Sequence, residues 1–122
     1  MSNAARAVAN LPAREQPISE QFRIVARQWV DADAAASLLE ELKTTTLEKM
    51  KSDLIAREGD MADNKAERMT KCTDEWSTYL REMCEHRAKA QRLKVQLEYL
   101  RMKFAEAQSM EATARHEARL SK

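Results

Sequence analysis

The chain has 122 residues, 34% of them charged, with 21 Lys and Arg against 20 Asp and Glu and a net charge of +1. One Gly, two Pro and an aromatic content of 5% exclude a sheet-rich fold and a Gly-lined phosphate loop, leaving a core of aliphatic side chains and Met. The two halves differ: residues 1–63 carry 8 basic and 11 acidic side chains, residues 64–122 carry 13 and 9. Neither half has the dense basic patch of a dedicated DNA binder.

Residues 1–17 are Ala-rich, broken by Pro12 and Pro17 and without apolar period, which predicts a flexible N-terminal tail. Ser19 is then the expected N-cap, with Glu20 in the first turn. Phe22, Val25, Trp29, Ala32, Ala36 and Leu39 follow in alternating steps of three and four, and Leu42, Leu47, Met50 and Leu54 extend the stripe. The spacing predicts one amphipathic helix over about 19–58, ended by Gly59 in a left-handed position. Thr44–Thr46 is its weakest part, because consecutive β-branched residues lower helix propensity.

Residues 59–73 predict an elbow that holds a short helix, Asn64–Lys71, capped by Asp63. Thr73 supplies the next N-cap, and Asp74 and Glu75 place carboxylates in the first turn of a long helix over about 74–120. Trp76, Leu80 and Met83 begin its apolar stripe; Ala90, Leu93, Leu97, Leu100, Phe104 and Ala107 continue it in heptad steps. Beyond them the seam weakens to Glu111, Ala114 and Ala118. Val95 and Met102 lie off the seam and mark a second contact surface. At 1.5 Å per residue such a helix is roughly 65–70 Å long, more than a small core covers. The predicted fold class is all-α: residues 18–122 form an elongated antiparallel helical hairpin, two long helices with a short connecting helix. It is coiled-coil-like and self-associating, with a homodimer favoured.

No catalytic motif stands out. There is no Gly-x-Ser-x-Gly and no His-Glu-x-x-His, and His86 and His116 lie thirty positions apart on one helix. Cys72 and Cys84, twelve positions apart with no second pair, form neither a disulfide framework nor a zinc pattern, and are expected to be reduced structural thiols. No catalytic, cofactor-binding or metal-ligating residue is assigned, and no enzyme is predicted. Met1–Pro17 has no apolar signal core and no apolar run is long enough to span a bilayer, so no membrane is expected among the partners.

The electrostatic candidate is a basic ladder on the long helix. Arg87, Lys94 and Arg101 recur every seven residues, and Lys103 widens the surface with Lys89 and Arg92. Arg87, Lys94, Arg101 and Lys103 are thus candidates to contact nucleic-acid phosphates or an acidic partner; the alternative is that their stems cover the seam while their charges stay solvated. Glu85 with Lys89, Lys94 with Glu98 and Glu111 with Arg115 have the spacing of surface ion pairs.

Two strings carry a resemblance: Leu93-Lys94-Val95-Gln96-Leu97-Glu98-Tyr99-Leu100-Arg101-Met102-Lys103-Phe104, and Gln108-Ser109-Met110-Glu111-Ala112-Thr113-Ala114-Arg115-His116-Glu117-Ala118-Arg119-Leu120. With Glu75, Trp76 and Tyr79 before them, and Ile18–Leu39 further upstream, they resemble an uncharacterised family of small α-helical phage and prophage proteins. The chain departs from that pattern at Ala107, where the family has Trp, and at Cys72-Thr73-Asp74, where it has Ala-Ser-Pro. The resemblance implies a phage origin, action in the host cytoplasm, and a gene setting among DNA-recombination and single-strand-binding functions; it transfers no activity. It also makes Gln108, Ser109, Thr113, Arg115 and Arg119 candidates for partner contact. Three functions are expected in consequence. The first is binding of a phage or host protein, as an adaptor in phage DNA recombination or replication or as an inhibitor of a host nuclease or defence factor. The second is DNA binding through the basic ladder, and the third is assistance to virion assembly.

Overall fold

The computed structural model describes residues 16–121, and every regular element among them is an α-helix. The helices are α1 (Ile18–Glu41), α2 (Lys43–Glu58), α3 (Asp63–Lys71) and α4 (Asp74–Leu120). The predicted tail, up to residue 15, lies outside the described residues. The chain divides into two compact units, one holding Val30–Gln91 and the other the residues up to Trp29 together with those from Arg92 onward. Helices α1 and α4 contribute to both.

The start of α1 departs from the expected cap. The Pro17 carbonyl accepts the backbone N–H groups of Glu20 and Gln21, each at 3.0 Å, so the helix begins at Ile18 and Ser19 falls inside its first turn. In the unit that holds this end, Val25, Leu97 and Leu100 are buried, and Phe22, Ala26, Trp29 and Leu93 pack against them. Each buried Leu or Val contributes about 1.5–3 kcal/mol relative to exposure.

The single helix predicted over 19–58 is two helices. Leu42 interrupts it with φ −85° and ψ 0°, a bridge-region conformation. The hydrogen-bond ladder nevertheless closes around it: Leu42 N–H donates to the Leu38 carbonyl and Thr46 N–H to the Leu42 carbonyl, at 3.0 and 2.8 Å. The break falls immediately before the Thr44–Thr46 run, where propensity is poorest. In the last turn of α1 the Tyr79 hydroxyl donates to the Leu39 carbonyl. Tyr79 also stacks on Trp76, with ring centroids 5.5 Å apart and planes at 12°.

Gly59 ends α2 with φ 97° and ψ 172°, and its N–H donates to the Ile55 carbonyl at 2.9 Å. This is a positive-φ but extended conformation, essentially reserved for glycine. Nothing lies within 4 Å of where a Cβ would stand. Gly59→Ala is therefore expected to cost about 1–3 kcal/mol from backbone strain alone. Urea denaturation measures this; a loss below a few tenths of a kcal/mol would show that the chain relaxes the turn.

Asp63 does not cap α3. Ala62 occupies the cap position with no side-chain hydrogen bond, and the Asp63 carboxylate instead accepts from Lys51 Nζ at 2.7 Å. Lys51 is only 4% exposed and also reaches Glu48 at 3.2 Å. Its position, four after Leu47 and three before Leu54, puts it on the apolar face of α2, so its ammonium is held by partners where that face meets α3. Thr73 caps α4 as expected: its Oγ1 accepts the Trp76 N–H at 3.2 Å and donates to the Thr70 carbonyl at 2.6 Å.

Candidate functional site

Helix α4 supplies both groups of candidate residues, and they divide by what surrounds them. Within the Val30–Gln91 unit, Arg87 stands four residues after Met83 and three before Ala90, half-buried beside the seam of α4. Its Nη1 donates to Asp33 at 2.7 Å, its Nη2 to Glu40 at 2.6 Å and to Ser37 Oγ at 3.3 Å, and its Nε to Glu40 at 3.0 Å. The two carboxylates raise the Arg87 pKa further above its ordinary value, first through the hydrogen bond to Glu40 and then through that to Asp33. Arg87 thus leaves the proposed ladder: its charge is engaged by its own chain, and no phosphate can use the same donors without displacing both acids.

Lys94, Arg101 and Lys103 belong to the other unit. The Arg101 guanidinium lies 5.9 Å from the centre of the Phe22 ring, and Lys103 Nζ lies 5.8 Å from that of Tyr99. Such cation–π contacts leave the charges in water and able to attract an anion. Lys94 is exposed and forms no ion pair with a described residue. The expected pairs Glu85–Lys89, Lys94–Glu98 and Glu111–Arg115 do not close, and exposed pairs of this kind gain little to hold two long side chains together.

The same stretch of α4 has two apolar faces. Leu93, Leu97 and Leu100 turn toward α1 residues and are covered. Val95, Tyr99 and Met102 are 65%, 57% and 69% exposed. Steps of four and three place these three on one face of the helix, away from the covered one. From Arg101 to Ser121 every residue is exposed, including Phe104, Met110 and Leu120. The seam predicted through Phe104 and Ala107 therefore runs on past its last cover among the described residues.

In the C-terminal motif the Thr113 hydroxyl donates back to the Ser109 carbonyl at 3.0 Å, so the helix itself satisfies that side chain. Gln108, Arg115 and Arg119 are exposed, and their spacing of seven and four puts them on one helix face. Cys72 and Cys84 are both unpaired and both exposed, which places them on the surface. His86 and His116 are exposed as well. Among the described residues no three His, Cys, Asp or Glu side chains gather as metal ligands, and no helix is long and apolar enough to cross a membrane.

Three carboxylate- and ammonium-based contacts set a pH dependence. The hydrogen bond from Arg87 holds the Glu40 carboxyl below its ordinary 4.5, and that from Arg23 does the same for Glu20. A depressed carboxyl stabilises the fold above its unfolded pKa and loses that contribution as pH falls through the folded value. Lys51 is raised above its ordinary 10.5, chiefly by the hydrogen bond to Asp63, so its contribution is complete below that value and lost as pH rises through the folded one. Stability is expected to be level between about pH 6 and 9 and to fall on both sides. Denaturation at a series of pH values checks this: Glu40→Gln should flatten the acid limb and Lys51→Met the alkaline limb. Limbs unchanged by either substitution would assign them to other groups.

Compared with known proteins, the chain matches no family model, no curated protein and no solved structure.

Proposed function

We propose that this chain is a non-enzymatic accessory protein that acts by protein–protein binding through the outer face of α4. The observation that carries the reading is the exposed Val95, Tyr99 and Met102 face, on the side of the helix away from the covered leucines. Large exposed apolar side chains in register along one helix face are a docking surface for another helix. The proposed architecture is an antiparallel, coiled-coil-like hairpin that self-associates, with a dimer favoured. The contacts of Arg87 with Asp33 and Glu40 and of Tyr79 with Leu39 support the antiparallel sense in one unit, and Arg101 over Phe22 supports it in the other. The resemblance to phage proteins supplies the setting: phage DNA recombination or replication, or inhibition of a host nuclease or defence factor, in the host cytoplasm. Virion assembly is the alternative that co-purification with head or tail proteins would bring forward.

A second reading rests on Lys94, Arg101 and Lys103, whose charges no described carboxylate neutralises. Light scattering after size exclusion, with a DNA shift assay on the same sample, separates the two. Protein binding predicts that Val95→Glu with Met102→Glu dissociates the oligomer or the partner complex while helicity is kept. DNA binding predicts an affinity that falls steeply with salt, its log–log slope reduced by about 0.9 for each ladder residue changed to Gln. A monomer that ignores both DNA and host proteins would sink both readings.

A further inference from the structure

Within the Val30–Gln91 unit, the start of α2, the last residue of α3 and the first turns of α4 enclose an open cleft of about 420 Å³. Lys43, Thr44 and Leu47 line it from α2, Lys71 from α3, and Trp76 and Leu80 from α4. Trp76 is 4% exposed and stacks on Tyr79, and with Leu47 and Leu80 it forms the apolar side of the cleft. Of the six lining residues, two are cations and none is an acid. Lys43 forms no ion pair with a described residue, and Lys71 is held only by Glu67, at 3.1 Å in an exposed pair four residues apart. Exposed pairs of that kind are worth well under about 1 kcal/mol net, so a second carboxylate can take the ammonium at little cost.

We infer that this cleft is a docking site for an acidic peptide segment of another protein, one that sets a leucine or aromatic side chain against Leu47, Trp76 and Leu80 and a flanking carboxylate against Lys43 and Lys71. The cleft falls within the size range of ligand-binding clefts, and its lining pairs three apolar side chains, Leu47, Trp76 and Leu80, with two ammonium groups and the Thr44 hydroxyl. Charge complementarity selects the occupant: a basic or neutral segment would leave two ammonium groups facing it without gain, and an acidic one steers in and is then fixed in register. The site is built from residues other than the Val95, Tyr99 and Met102 face, so it stands or falls apart from that reading.

The test is selection of a random twelve-residue peptide display library on the full chain, followed by binding measurements on the enriched peptides. The expected result is a shared motif of Asp or Glu beside Leu, Phe or Trp, with Trp fluorescence changing on binding. Affinity should fall at least tenfold in Lys43→Glu with Lys71→Glu and be unchanged in Val95→Glu with Met102→Glu. Both lysines are exposed, and unaltered helicity and melting in the double variant keep the comparison valid. The milder Lys43→Gln with Lys71→Gln serves if charge reversal unfolds the unit. Failure to enrich any peptide, enrichment of peptides without acids, or equal binding to the lysine variants would overturn the inference. Loss of binding in the Val95 and Met102 variant alone would overturn it too, and would move peptide recognition to the α4 face. Saturable binding of decanoate with no peptide enriched would also overturn it, in favour of a small organic carboxylate.

Discussion

Trp76→Ala is expected to destabilise the Val30–Gln91 unit by about 3–5 kcal/mol, the usual cost of deleting a buried Trp side chain. The indole is almost fully covered and stacks on Tyr79, whose hydroxyl in turn donates to the Leu39 carbonyl. Removing it opens a cavity and also frees Tyr79 from the position in which it donates to Leu39. Because small domains hold only about 5–15 kcal/mol in total, the loss takes a large share of the stability. Thermal and urea unfolding measure it, and a Trp76, Tyr79 double-mutant cycle separates cavity from coupling. A coupling near zero would mean that the stack contributes nothing beyond burial.

Arg87→Glu is expected to be the most damaging single charge change on α4. It removes the only cation between Asp33 and Glu40 among the described residues and sets a third carboxylate beside them. The melting temperature should fall well below that of Lys94→Glu, which changes a solvated position by the same charge. Adding Asp33→Lys and Glu40→Lys should restore most of the loss, because opposite charges would again face each other. Arg87→Met is expected to fall between, since it keeps apolar volume but leaves two acids without their partner. Equal melting of Arg87→Glu and Lys94→Glu would contradict the view that Arg87 fixes the register of α1 on α4.

Arg87 shows why part of the site was not legible in the sequence. A spacing of seven describes a row beside a heptad seam and a row within it equally well, so Arg87, Lys94 and Arg101 read as one ladder. The steps from Met83 to Arg87 to Ala90, four and three, recur from Ala90 to Lys94 to Leu97 and from Leu97 to Arg101 to Phe104, so spacing does not separate Arg87 from the other two; the acids Asp33 and Glu40 on α1 do. Lys51 stands on the apolar face of α2, four after Leu47 and three before Leu54. In both cases a long charged side chain stands on or beside an apolar face because carboxylates nearby hold its charge. The second apolar face is legible in outline, since Val95 and Met102 fall off the seam; Tyr99 joins them only once the packing of the leucines fixes which side of the helix is open.

The sequence by itself determined the helical character, the positive-φ residue at Gly59 and the Thr73 cap of α4. Those features depend on propensity, on a missing Cβ and on hydrogen bonds between residues three or four apart, all of which are local. Tertiary structure alone decided that Asp63 turns to Lys51 instead of capping α3, that Arg87 is consumed by Asp33 and Glu40, and that both cysteines face outward. Each of these depends on which face of a helix a neighbour covers and which charge lies opposite, and the spacing of residues within one helix carries no information about its neighbour.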